Sequence, residues 1–79
     1  MEELGKNNPL RKELIGLIVS IAEEVEMSEQ NQVFLLHKLN TEEKVFLFND
    51  WIKSKLESGK LQVTEAEICR KAVQIAKQF

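Results

Sequence analysis

Two side chains in this sequence carry the chemistry of a nucleophilic catalyst: His37, the only histidine, and Cys69, the only cysteine. Such a pair works when an imidazole holds the thiol as a thiolate and further groups position both. Neither residue lies in a stretch that marks a nucleophile site. His37 follows the apolar run Val33–Leu36 and precedes Lys38, which puts it at a helix margin. Cys69 lies among Ile68, Ala72 and Val73, where a cysteine behaves as a small hydrophobe. A di-iron carboxylate site would need an acid three residues before the histidine, and Phe34 stands there. The acidic stretch Glu23, Glu24, Glu26 and Glu29 lacks the alternating oxygen ligands and central glycine of a calcium loop. Gly5, Gly16 and Gly59 are too scattered to cradle a phosphate. No enzyme activity, cofactor or metal is expected.

Binding chemistry is the better prospect. Lys53, Lys55, Lys60, Arg70, Lys71 and Lys77 gather in the last third of the chain. Lys60, Arg70, Lys71, Gln74 and Lys77 are residue types that contact phosphates and base edges, so DNA or RNA binding is one reading of this region. Two features oppose it. The sequence pI is about 5.4, whereas nucleic-acid domains are strongly basic. The connection over 58–63 also exceeds the short turn of a helix-turn-helix.

Helices must position these groups, and their boundaries are written in local signals. Asn8 caps a first helix, with Pro9 at the position where a missing N–H costs nothing. Ser28 caps a second, with Glu29 in its first turn. Thr41 caps a third, followed by Glu42 and Glu43, and Gly59 suits the left-handed position beyond its end. Thr64 and Glu67 form a capping box for the fourth, with Val63 and Ile68 as its hydrophobic staple. The predicted spans are 9–27, 29–39, 42–58 and 65–78. The start of the second helix is left open by the sequence, since 27–32 also fits a loop or a continuation of the first helix. Lys60–Thr64 reads as a connector and not as a strand. The expected fold is all-α, a small bundle of three to four helices in a single domain over 1–79, with 1–7 as a flexible N-terminal tail.

Bulk properties agree. Seventy-nine residues make one domain, and a chain this short often draws stability from association. A single cysteine fits a reducing compartment. The longest apolar run, Leu14–Ala22, is far below the roughly 20 residues of a membrane span. A cytoplasmic protein with no membrane contact is expected. The net charge of −2 is unevenly placed, with an acidic excess before residue 44 and a basic excess after it.

The most informative feature is a surplus of apolar surface. In the first helix the apolar set from Leu17 round to Val19 covers about 200° of the circumference, where a core-facing stripe needs about 100°. In "KVFLFNDWIK", Val45, Phe48 and Ile52 form one seam, Leu47 and Trp51 a second, and Phe46 stands on a third side. Two such helices are hard to cover within one small chain. The expected function is therefore protein–protein interaction, most simply as a homodimer and otherwise with another helical protein, with regulation as one use of such an interaction. Its expected interface is Phe46, Leu47 and Trp51, with Ile15 and Val19 of the first helix. Gly16 and Ser20 are a small-x-x-x-small pair that would allow close helix approach; they are read as ordinary helix positions.

Overall fold

The computed structural model describes Gly5 and residues 7–78. The expected N-terminal tail falls largely outside the described residues, as does Phe79. The fold is all-α: α1 (Pro9–Val25), α2 (Glu29–Lys38), α3 (Glu42–Lys55) and α4 (Glu65–Lys77). One small hairpin, β1 (Leu56–Glu57) and β2 (Lys60–Leu61), joins α3 to α4.

Three helices start as their capping residues require. Asn8 Oδ1 accepts from the Leu10 N–H at 2.8 Å, with Pro9 as the first helical residue. Ser28 Oγ accepts from the Asn31 N–H at 3.3 Å. Thr64 Oγ1 accepts from the Glu67 N–H at 3.2 Å and lies 3.3 Å from Glu67 Oε1, where its hydroxyl donates back. Thr41 differs. It occupies the N-cap position of α3, but its side chain makes no capping bond. Its hydroxyl is buried without a hydrogen-bond partner among the described residues.

The helix ends depart further from expectation. α1 stops at Val25, because Glu26 turns left-handed at φ 56°. The Met27 N–H then reaches back to the Ala22 carbonyl at 3.0 Å, the long-range bond of a Schellman motif. Residues 27–28 are thus a connector, and the second helix begins at Glu29. α3 ends at Lys55, three residues before the expected end. Ser58 and Gly59 both have positive φ, 53° and 80°, the signature of a two-residue turn whose twist matches a hairpin. Leu56 pairs with Leu61 and Glu57 with Lys60, so the expected connector forms a strand at its start.

The helices pack around one core built of Leu14, Ile18 and Ile21 from α1, Leu35 and Leu39, Val45, Phe48 and Ile52 from α3, and Ile68, Ala72 and Ile75 from α4. α1 packs on α2, α2 on α4, and α4 on α3. α1 and α3 approach each other less closely, and a cleft runs between them. Two carboxylates tie distant segments together. Glu65 Oε2 at the start of α4 accepts from the Ser28 N–H at 2.9 Å, from Ser28 Oγ at 3.3 Å and from Asn31 Nδ2 at 2.6 Å. Glu24 Oε1 near the end of α1 accepts from the Leu61 N–H at 2.9 Å.

Candidate interaction surfaces

The wide apolar stripe of α1 has a structural cause. α2 lies against one flank and the cleft to α3 against the other, so residues on both sides of the core seam must be apolar. Coverage of the two flanks is incomplete. On the α2 side, Ile15, Ile18 and Val19 of α1 and Val33 and Leu36 of α2 line a groove of about 110 Å³, with Gln32 its polar member. Ile15, Val19 and Val33 remain 42%, 44% and 54% exposed. On the α3 side, Leu10, Leu14, Leu17, Val45 and Phe46 line a second groove of about 110 Å³, edged by Glu13 and Asn49. Phe46 is 50% exposed there.

The expected interface residues are therefore distributed over several places. Ile15 and Val19 share the α1–α2 groove, and the exposed Val33, which sequence reading passed over, belongs with them. Phe46 lies in the α1–α3 groove. Leu47 is exposed on α3. Trp51 is half-buried against the core, its ring centroid 6.0 Å from that of Phe48 and the Lys55 ammonium 5.9 Å from its centre. Trp51 also edges a third, polar groove between α3 and α4, about 230 Å³ in volume, with Lys55, Glu67, Arg70, Lys71 and Gln74. Of the expected nucleic-acid contacts, Arg70, Lys71 and Gln74 meet in this groove, whereas Lys60 sits on the hairpin and Lys77 on the last turn of α4.

The two residues with catalytic chemistry sit apart from these grooves' linings. His37 is exposed in the last turn of α2. Cys69 is half-buried on α4. Burial first, and the nearby Glu65 charge second, push its thiol above the ordinary cysteine value, the opposite of what an activated nucleophile requires. Among the described residues no group of three or more His, Cys, Asp or Glu side chains could hold a metal ion. No helix of the described residues is long and apolar enough to cross a membrane.

The charges of α1 carry a signal that the sequence reading did not use. α2, α3 and α4 each have acids in the first turn and bases in the last. That arrangement complements the helix dipole. α1 has no acid in its first turn and no base in its last. Arg11 and Lys12 stand near its start, and Glu23 and Glu24 near its end. Comparison with protein families, with characterised proteins and with solved structures gives no match to this chain.

Proposed function

We propose that this protein is a small helical protein–protein interaction module that works as a homodimer, with a regulatory role that reversible pairing would suit. The observation that carries the reading is the α1–α2 groove. Three large aliphatic side chains, Ile15, Val19 and Val33, stand there about half exposed, with no charged residue in the lining. Contiguous exposed apolar surface of this kind marks sites of association. Covering the half that each of these side chains still exposes contributes about 1 kcal/mol, and a second copy is the commonest partner that a small soluble domain finds. One half-buried thiol suits a reducing cytoplasm, where we place the module.

Light scattering after size exclusion, across low to high micromolar protein, tests this reading. A concentration-dependent shift from one chain to two is expected. A strict monomer throughout, with Trp51 emission unmoved on dilution, overturns it.

The α3–α4 groove supports a second reading. Lys55, Arg70 and Lys71 line it with the half-buried Trp51, beside Gln74 and the acidic Glu67, and an aromatic edge in a groove with three cations suits a single nucleic-acid strand. Such binding would weaken steeply with salt. Retention on nucleic acid that survives combined Arg70→Glu and Lys71→Glu substitution would end this reading.

A further inference from the structure

Resting on the homodimer reading, we propose which face pairs and in what register: α1 packs antiparallel against α1 of a second copy, its centre falling between Leu17 and Ile18. Lys12, Ile15, Gly16, Val19 and Glu23 recur at the spacing that keeps residues on one side of a helix. All five are exposed. The two largest apolar groups, Ile15 and Val19, border the groove that α1 shares with α2.

The face is complementary to itself. In an antiparallel pair, residues at equal distances from the centre on opposite sides come level. At a rise of about 1.5 Å per residue, Lys12 and Glu23 each lie about 8 Å from that centre. Lys12 therefore comes level with Glu23 of the second copy, and the twofold axis repeats the pair. Val19 comes level with Gly16 of the second copy, so this branched side chain meets the smallest residue of the face. A Cβ added at Gly16 would meet nothing within 4 Å, so the space a mate's Val19 needs is open. Ile15 and the mate's Val19 are offset by only about 1.5 Å along the axis and cover each other. Val33 lines the same groove and gains the mate's α1 as a neighbour.

The reversed charges of α1 support this pairing independently. The side chains of Lys12 and Glu23 have no ion-pair or hydrogen-bond partner among the described residues. Bases near the start and acids near the end oppose the dipole of a lone helix. Set antiparallel against an identical helix, the basic start of each meets the acidic end of the other. A parallel arrangement would place Lys12 against Lys12 and is disfavoured.

Charge exchange provides the test, read as the dimer dissociation constant by sedimentation at low salt, with helical content checked by circular dichroism. Lys12→Glu and Glu23→Lys each replace two attractions with repulsions, and each should weaken the dimer about tenfold. The double variant Lys12→Glu/Glu23→Lys should restore it. Val19→Asp, on the open side of the α1–α2 groove, should weaken it about a hundredfold. In a Cys69→Ala background, Lys12→Cys/Glu23→Cys should form a reducible two-chain product, since the two positions are too far apart to join within one chain. A dimer indifferent to these charge changes, or double substitution that does not rescue, overturns this register and leaves the interaction-module reading standing. A monomer at every concentration overturns both.

Discussion

α1 and α4 are the first and last helices of the same bundle, and they obey different rules. α4 is explained by its own fold. Thr64 caps it, Val63 packs onto the core beside it, and Ile68, Ala72 and Ile75 are buried. Acids open it and a lysine closes it, and it exposes no large hydrophobic residue among the described ones. α1 is capped and buried as well as α4, yet it keeps two features that do not help the monomer. Ile15 and Val19 stand half in water, and the charges run against the dipole. A sequence that specifies one structure satisfies local rules together, and places where it breaks them without local compensation are where function is to be sought. The difference between the helices thus separates residues the fold requires from residues it merely carries.

The largest test of that separation lies in the core. Leu14→Ala and Ile68→Ala remove side chains that are 1% and 0% exposed. Each should cost about 2–5 kcal/mol in urea unfolding, a large share of what so small a domain has. Ile15→Ala and Val19→Ala, beside Leu14 on the same helix, should change monomer stability by less than about 0.5 kcal/mol. Equal losses at Leu14 and Val19 would erase the distinction between the two kinds of residue on α1.

A second test concerns how α4 holds the rest. The Glu65 carboxylate is stabilised as an anion, chiefly by the Asn31 amide and then by the Ser28 N–H, so its pKa lies below the ordinary glutamate value. A lowered folded-state pKa means stability that is present above the unfolded value. That stability is lost as pH falls through the folded one. Below about pH 4.3, unfolding midpoints of the native chain should therefore fall more steeply with acid than those of Glu65→Gln. Parallel curves would show that the contact contributes nothing to folding. The experiment sharpens the comparison because α4, unlike α1, would be shown to use its first-turn acid for the fold itself.

What could be read beforehand follows from the range of each interaction. Asn8, Ser28 and Thr64 act on backbone groups two or three residues away, so their caps were legible. Thr41 looked the same in sequence, but the fold buries its hydroxyl, and burial depends on distant packing. The Ser58–Gly59 pair was read as a helix end, because a glycine with positive φ serves both a helix terminus and a hairpin turn. Nothing local announces Glu26 as the stop of α1, since glutamate does not favour φ 56°. The ties from Glu65 to Ser28 and from Glu24 to Leu61 each span 37 positions and have no local signature. The apolar surplus on α1 and α3 was legible from periodicity. Its division among grooves was not, because periodicity gives the angle around a helix and not the neighbour met there. Val33 was missed for that reason. The reversed charges of α1 were visible throughout and would have pointed to the same helix.

Strain at the end of α1 supplies a smaller test. Glu26 holds a left-handed conformation that glycine adopts freely. Glu26→Gly should raise stability by about 0.5–1 kcal/mol, read in thermal and urea unfolding. A loss instead would mean that the Glu26 side chain contributes more than its backbone strain costs.

The smallest effect is the most discriminating, because one substitution should act in opposite directions on fold and assembly. Lys12 is in the opening turns of α1, where a negative charge suits the dipole and a positive one does not. Lys12→Glu should therefore stabilise the isolated chain by about 0.3–1 kcal/mol, measured at concentrations where only one chain is present. The same change should weaken pairing, since it faces the mate's Glu23 with another carboxylate. Salt should shrink both effects, because both groups are exposed and screened. A residue kept only for the fold would not be placed where its replacement strengthens that fold. If Lys12→Glu weakens the monomer, α1 does not differ from α4 in the way its charges imply, and those charges no longer point to a second copy.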